Sequence, residues 1–217
     1  MKLIDDTLRK NETLKIKVWI DFVCPYCLLG KKVLEEAASG LDVNIEMMPF
    51  ELRAYPAPTL RPEDEYLPSV WKHGVYPAAE KLDIAIKLPS VSPQPYTRDA
   101  FLVLQYAKDQ GVGNEYADAM LRAFFQQDRD IGDLTVIKDV AASVGLPIEP
   151  LEEIPKSPLH SLRHDNELKY ASRIDIRAVP SIAIGNKIYS GMLDSQELRE
   201  VILANMPAGK VCTSLAE

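Results

Sequence analysis

The sequence predicts an α/β fold in which a βαβ unit and a ββα unit build one mixed four-stranded sheet around a large all-helical insertion. Two observations predict it. A strand, an amphipathic helix and a second strand follow one another between Lys15 and Phe50. Residues 51–174 then show helical periodicity and hardly any strand pattern, before two short apolar strands and a last helix. Strand, helix, strand at this spacing is a βαβ unit with a right-handed crossover.

Composition narrows the class of protein. The chain has 217 residues, enough for one large domain or for a domain that carries a substantial insertion. A net charge of -7, without a basic stripe, argues against a nucleic-acid partner. The sequence shows neither a membrane-spanning stretch nor a signal-peptide pattern. We therefore expect a soluble, cytoplasmic protein without a membrane partner, either a monomer or a homodimer.

The βαβ unit begins with a strand from Lys15 to about Phe22, whose apolar residues on both faces predict a central position in the sheet. The helix that follows carries apolar residues at spacings of three and four, and Gly40 ends it in a left-handed conformation. Residues 43–47 alternate between apolar and polar and predict the second strand.

Two cysteines lie where the first strand meets its helix, in the motif Cys24-Pro25-Tyr26-Cys27. Free amides and the helix dipole favour a thiolate at Cys24, and Pro25 suits the first helical position. Cys24 is therefore the expected nucleophile. Cys27, covered by its own helix, is expected to resolve a mixed disulfide. The motif alone also leaves a zinc site and a pair of structural thiols open.

A metal site is not expected. A structural zinc site needs about four ligands at paired spacing, which the remaining histidines and Cys212 do not offer. His160 and His164 have the i, i+4 spacing of metal ligands but no third partner, so we interpret them as part of a solvated helix face. Cys212 is expected to be an exposed spectator thiol, with a resolving or regulatory role as the alternative.

Five helices are expected in the insertion, four of them with a capping residue at the start: Thr97, Asn114, Asp133 or Ser157. The first helix should be broken or kinked at Pro68 and Pro77. Aromatic residues of the insertion are expected in the core: Trp71, Tyr76, Phe124 and Phe125. The expected spans are approximately 62–82, 97–110, 114–127, 133–144 and 157–174.

The ββα unit follows Val179-Pro180. Residues 181–184 and 187–190 form an expected antiparallel hairpin through Gly185-Asn186, a pair that suits a type II′ turn. The last helix, from about Ser195 to Asn205, has Asp194 as its N-cap. The expected domains are residues 15–50 with 175–206, the inserted residues 51–174, and a polar tail at 207–217.

The assembled pieces resemble a known family. The stretch Asp21–Cys27 with Gly30, together with residues 49–52, 121–125 and 130–133, resembles DsbA-type oxidoreductases, which have a thioredoxin-like fold with a helical insertion. The resemblance is closer to the FrnE-like branch, whose relatives include 2-hydroxychromene-2-carboxylate isomerase and kappa-class glutathione transferases. It covers the chain from Lys15 to about Asn205.

This resemblance implies roles for the site residues. Pro180 would be cis and lie beside the reactive pair, with the Val179 backbone pairing with a substrate chain. Tyr26 would modulate redox potential and access, and apolar residues of the insertion would line a substrate groove. Thioredoxin and DsbA have a buried acid where this chain has Val18. Asp21 is the nearest carboxylate, with three open roles: orienting the loop, assisting proton transfer from Cys27, or accepting loop amides.

The expected function is that of a thiol–disulfide oxidoreductase, a reductase or isomerase acting on disulfide-containing proteins or peptides. No tightly bound cofactor is expected. Glutathione is a candidate redox partner or co-substrate at Val179, Asp194 and Ser195, and a plain helix cap is the alternative. The second hypothesis is a glutathione-dependent isomerase or transferase acting on an aromatic or small apolar molecule, although those relatives generally have serine where Cys24 stands. The third is a non-catalytic binding module.

Overall fold

A computed structural model describes residues 13–207, and within them four strands form one mixed sheet in the order β2-β1-β3-β4. The strands are β1 (Leu14–Ile20), β2 (Val43–Pro49), β3 (Ser181–Ile184) and β4 (Lys187–Ser190). The predicted fold class is confirmed, including the βαβ and ββα units.

Strand β1 lies in the middle of the sheet, as its apolar residues predict. It pairs in parallel with β2, up to Ile20 opposite Pro49, and antiparallel with β3, where Trp19 lies opposite Ser181. Because β2 ends and β3 begins beside the same end of β1, the residues that follow or precede these strands meet there.

Eight α-helices surround the sheet in the described part of the chain. Helix α1 packs against α8, and α4 packs against α5 and α7. A π-helical turn, Trp71–Val75, joins α2 to α3, and two 3₁₀ turns precede α7. The helices are α1 (Pro25–Ala38), α2 (Tyr66–Val70), α3 (Tyr76–Lys81), α4 (Arg98–Asp109), α5 (Gly113–Phe125), α6 (Leu134–Ser143), α7 (Pro158–Arg173) and α8 (Ser195–Asn205).

Both faces of the sheet are covered. On one face the sheet and the insertion share a core, in which the Phe22 and Phe101 rings stack with centroids 4.5 Å apart. On the other face Trp19 and Met48 pack against α7 and the residues after it. Successive side chains of β1 from Val18 to Ile20 therefore serve two cores, which explains why this end of the strand is apolar, whereas Lys15 and Lys17 lie nearer its start.

The first helix of the insertion differs from the prediction. It begins at Tyr66 rather than near residue 62, and the π-helical turn interrupts it instead of a break at each proline. Pro68 lies in the first turn of α2, where its missing N–H has no partner within the helix. Pro77 comes just after the π-helical turn, and the Tyr76 amide before it donates to the Trp71 carbonyl, five residues back. The predicted disruption is therefore found before Pro77 and not at Pro68.

The helix caps are partly as predicted. Three acidic or hydroxyl side chains accept a backbone N–H at the start of their helices: Asp133 from Thr135, Ser157 from His160 and Asp194 from Gln196. Thr97 makes no capping bond, and α5 begins one residue before Asn114, whose side chain donates to the Ile45 carbonyl at 2.9 Å. Tertiary partners compete successfully for such short polar side chains.

Glycine supports two predicted turns. Gly40 follows α1 with φ of 72°, and Gly185 opens the β3–β4 hairpin with φ of 61°.

None of the helices between residues 13 and 207 combines the length and apolarity that crossing a bilayer requires.

The Asp133 cap allows a direct test of this architecture. Asp133→Ala removes the acceptor for the Thr135 amide, which lies 2.8 Å away, and should lower the free energy of unfolding by about 1 kcal/mol. Asp133→Asn keeps an acceptor and should cost much less. Urea unfolding of the three proteins measures both values; equal losses for the two variants would contradict the cap.

Candidate active site

The two cysteines occupy the turn that leads from β1 into α1. The Cys24 amide donates to the Asp21 carbonyl at 3.0 Å, and the Cys27 amide donates to the Cys24 carbonyl at 3.0 Å. Cys24 is the N-cap residue of α1 with extended backbone, and Pro25 takes the first helical position. Both are free thiols in the described residues; Cys24 is 6% exposed and Cys27 0%. Cys24 is thus the more accessible sulfur.

The segment before β3 completes the turn from the other side. The Val179–Pro180 peptide bond is cis, and the Val179 carbonyl oxygen lies 3.5 Å from Cys24 Sγ. The Pro180 ring packs over α1 at Gly30, where an added Cβ would stand 3.0 Å from the ring. A larger residue at position 30 would push Pro180 out of place. Gly30 therefore lets the two halves of the site come together.

Burial distinguishes the second cysteine. Loss of solvation, together with the neighbouring Cys24 thiol, raises the pKa of Cys27 well above its usual range. Cys27 is therefore held as a thiol until its proton is removed.

Asp21 is buried beside the cysteines, only 1% exposed. Its Oδ2 accepts the Leu52 amide at 2.7 Å, and the carboxylate also interacts with the Thr97 hydroxyl and the Val23 amide. Burial raises the pKa of Asp21 to about 6, although the Leu52 amide, the Thr97 hydroxyl and the Val23 amide each oppose the rise. Val18 is a buried apolar residue of β1, and Asp21 is the buried carboxyl group near the cysteines.

His164 corrects the interpretation of the histidine pair. Its ring is fully buried, and Nε2 lies 2.6 Å from Glu51 Oε1, whose side chain is 5% exposed. His160 instead contacts the Ser157 hydroxyl through Nδ1 at 2.9 Å. The prediction of a solvated face for both histidines is wrong for His164, because Glu51 arrives from the end of β2 to pair with it. In the described chain no group of three or more metal-ligating side chains is found.

The Glu51–His164 pair stabilises the loop after β2, which contacts Asp21 in the site. Glu51 immediately precedes Leu52, whose amide holds Asp21. The His164 ring also stacks on Phe101, with ring centroids 5.8 Å apart. The sequence argument missed this support: Glu51 was visible at the end of β2, but its partner lies 113 residues away.

A cavity of about 180 Å³, which we call the Cys24 pocket, opens beside the nucleophile. Its walls come from the start of α1, the loop after β2, α2 with its π-helical turn, and the segment before α4. The lining residues include Asp21, Val23, Cys24, Pro25, Tyr26, Leu52, Arg53, Thr59, Leu60, Tyr66, Leu67, Val70, Trp71, Gln94, Pro95 and Thr97. The insertion therefore contributes most of the wall facing Cys24.

The four aromatic residues that were expected in the core differ in how deeply they are buried. Trp71, Phe124 and Phe125 are buried as expected, and Trp71 also lines the Cys24 pocket. Tyr76 is 43% exposed, which contradicts its expected place in the core; its hydroxyl accepts the Leu88 amide. The half-buried Tyr26 directs its hydroxyl at the backbone of Gly74, where an added Cβ would stand 2.6 Å away.

The predicted glutathione residues are only partly brought together. Val179 lies beside Cys24. The Gly191 amide donates to the Pro180 carbonyl at 2.8 Å, and this bond holds the segment before α8 next to the site. Asp194 is exposed and caps α8, with Ser195 as the first helical residue. Cys212 lies outside the residues described.

Comparison with known proteins gives the chain a family context. A family model for the DSBA-like thioredoxin domain matches residues 15–203. The uncharacterized protein YwbO of Bacillus subtilis (strain 168) is 40% identical over 181 residues, covering 82% of this chain and 90% of YwbO.

Solved structures share the fold at low identity. The probable DsbA oxidoreductase SCO1869 from Streptomyces coelicolor has a TM-score of 0.73 at 18% identity, over 88% of this chain and 89% of SCO1869. A 2-hydroxychromene-2-carboxylate isomerase gives 0.70 at 14%, over 88% and 94%. The cytosolic disulfide reductase DsbM from Pseudomonas aeruginosa gives 0.67 at 14%, over 88% and 98%, and has also been solved with GSH. The predicted resemblance is confirmed.

The raised pKa of Asp21 makes stability depend on pH. Folding moves the pKa from 3.8 to about 6, so the folded state holds the proton more tightly. The contribution of Asp21 is therefore fully present below pH 3.8 and is lost as pH rises to about 6. Asp21→Asn, which can still accept the Leu52 amide, should raise the free energy of unfolding by about 3 kcal/mol above pH 6.

Below pH 3.8 the two proteins should have similar stability. Chemical denaturation across this pH range measures the difference, and Asp194→Asn, at an exposed cap, is the control. A constant difference between Asp21→Asn and wild type at every pH would show that the buried carboxylate is not its source.

Proposed function

Because the chain belongs to the DSBA-like thioredoxin domain family, we propose that it is a thiol–disulfide oxidoreductase that works through Cys24 and Cys27. The observation that carries the proposal is the place of Cys24: at the start of α1, with Sγ beside the Val179 carbonyl and Cys27 one turn further along. A sulfur at this position can meet a substrate disulfide, and a second thiol can displace the product.

The proposed reaction consists of two thiol–disulfide exchanges. Cys24 thiolate attacks one sulfur of a substrate disulfide, forms a mixed disulfide and releases the other sulfur as a thiolate. Cys27 then gives up its proton and attacks Cys24 Sγ, which forms the Cys24–Cys27 disulfide and releases the second substrate thiol. The substrate gains two electrons and the protein loses two. An external thiol must reduce the pair again.

We propose glutathione as that thiol, without a tightly bound cofactor and in the reducing cytoplasm. The fold shared with the cytosolic disulfide reductase DsbM, which has been solved with GSH, supports this part of the proposal. Val179 and the segment leading to Asp194 and Ser195 are the proposed contacts, because Gly191 joins this segment to Pro180.

The alternative is a glutathione-dependent isomerase or transferase, and an isomerase is among the fold neighbours. The size of the Cys24 pocket favours the first proposal. At about 180 Å³ it is smaller than the roughly 300 Å³ at the low end of pockets for drug-sized ligands.

Trapping experiments test the assigned roles. Cys24→Ser should abolish insulin reduction and the refolding of scrambled ribonuclease, because no attacking sulfur remains. Cys27→Ser should accumulate a mixed disulfide with the substrate, visible as a mass increase on a non-reducing gel and lost on adding dithiothreitol. Equal turnover by wild type and Cys24→Ser would defeat the proposal. A Cys24→Ser protein that still converts an aromatic substrate with glutathione would establish the alternative.

The potential of the pair is a second measurable consequence. Pro25-Tyr26 is also the pair found between the cysteines of glutaredoxins, so we expect a potential in the middle of the thioredoxin-fold range, near the roughly -200 to -230 mV of glutaredoxins, rather than at the strongly oxidising end. Equilibration with reduced and oxidised glutathione, followed by alkylation and mass spectrometry, measures it. A potential close to the roughly -120 mV of DsbA would contradict this expectation.

A further inference from the structure

The π-helical turn Trp71–Val75 contains a glycine that its own backbone does not require. Gly74 has no positive φ, and glycine within a helical segment is less stable than alanine. A Cβ added at Gly74 would stand 2.6 Å from the Tyr26 hydroxyl oxygen, and the next atom that it meets is Cζ of the same ring at 3.9 Å. Outside the turn itself, no other residue of the described chain lies within 4 Å of that position. The contact with Tyr26 therefore explains the glycine.

The apolar core holds this turn in place. The side chains of Trp71 and Val75, at its two ends, are 1% and 0% exposed and belong to the core that the sheet and the insertion share. The Trp71 ring also packs against Phe125, with ring centroids 5.8 Å apart. Because a close-packed core resists displacement, the backbone at Gly74 is fixed on this side. A side chain at position 74 would therefore displace the hydroxyl of Tyr26, which is only half-buried.

The other end of the Tyr26 side chain belongs to the turn that carries the cysteines. Tyr26 is the second residue of α1 and lies between Cys24, the N-cap residue, and Cys27. Its hydroxyl lies against the insertion, so the ring reaches from the cysteines to the π-helical turn. A tyrosine ring has only two side-chain dihedral angles, so it can hold two segments together at a low cost in conformational entropy. The Tyr26–Gly74 contact therefore connects the turn of the nucleophile with the insertion.

Resting on the proposed function, we infer that Gly74 is a positioning residue that favours polypeptide disulfides over small ones. With Tyr26 seated on Gly74, the turn of the cysteines keeps one distance and one orientation relative to the insertion. A polypeptide joined to Cys24 as a mixed disulfide extends beyond the sulfur and contacts the insertion as well, because the insertion supplies most of the wall facing Cys24. A small disulfide contacts little more than the sulfur. The polypeptide therefore depends far more on how the turn and the insertion are placed.

Gly74→Ala tests the inference with two substrates, insulin and hydroxyethyl disulfide, each reduced by the pre-reduced protein in a single turnover. The added Cβ pushes the Tyr26 hydroxyl from 2.6 Å to an ordinary contact of about 3.5 Å. A displacement of this size should lower the rate with insulin about tenfold relative to the rate with hydroxyethyl disulfide. Both rates are measured on the same protein sample, so any loss of folded protein cancels in their ratio.

Removing the hydroxyl group tests whether Tyr26 carries the effect. In Tyr26→Phe the nearest ring atom lies 3.9 Å from the added Cβ, which is an ordinary contact. Gly74→Ala should therefore cause no further fall in the ratio of the two rates when it is made in Tyr26→Phe. Tyr76→Phe is the matched control, because it removes a tyrosine hydroxyl beside the same turn, one that accepts the Leu88 amide instead. In that background Gly74→Ala should keep its full effect.

The outcomes separate this inference from the proposed function. Reduction of neither disulfide by wild type would count against the proposed function as well. An unchanged ratio in Gly74→Ala, with both rates as in wild type or both lowered equally, would overturn the role of Gly74 alone. A fall in the ratio that has the same size in the Tyr26→Phe background would overturn the assignment of the effect to the Tyr26–Gly74 contact. A fall that Tyr26→Phe abolishes and Tyr76→Phe does not would support it.

Discussion

The pairing of β1 with a strand on each side is the constraint on which the candidate site depends. The Phe50 amide continues the parallel pairing by donating to the Ile20 carbonyl at 2.9 Å, and Ser181 pairs with Trp19 on the opposite edge. Leu52 and Val179 therefore reach the same end of β1, where Cys24 stands. Since a one-residue slip turns every side chain of a strand to the other face, the two apolar cores on either side of β1 fix this register.

The free-energy cost of this arrangement comes mainly from polar side chains that are buried. Loss of solvation raises the pKa of both Asp21 and Cys27, and His164 and Glu51 are taken out of water as a pair. The Phe22 ring stacks on Phe101 of the insertion, and His164 stacks on the same Phe101. The apolar core thus supports a site that is locally unfavourable, which is common where function requires strained or desolvated groups.

Local patterns predicted the elements well, and long-range partners explain the rest. The alternation of residues 43–47, the CxxC at a helix start, and Gly185 before Asn186 each depend on neighbours in sequence, and the structure follows them. Thr97, Asn114, Tyr76 and His164 were misjudged because their environments come from distant segments. The pocket walls at Leu60 and Pro95 could not be predicted either, because they lie in stretches without helical or strand periodicity.

Val18 and Asp21 together show how the site differs from one with its acid inside the sheet. Val18 pairs with Met47 and Ile182 in the centre of the sheet and belongs to the core shared with the insertion, so a charge there would be buried among apolar side chains. Asp21 lies instead at the end of β1 and lines the Cys24 pocket. Burial has already removed water from this carboxyl group and raised its pKa to about 6, whereas an N–H donated by a ligand in the pocket favours the ionised form and lowers the pKa. By linkage, a ligand that donates such an N–H binds better above pH 6 than below it. The protonation of Asp21 is therefore coupled to the chemistry of whatever lies beside Cys24.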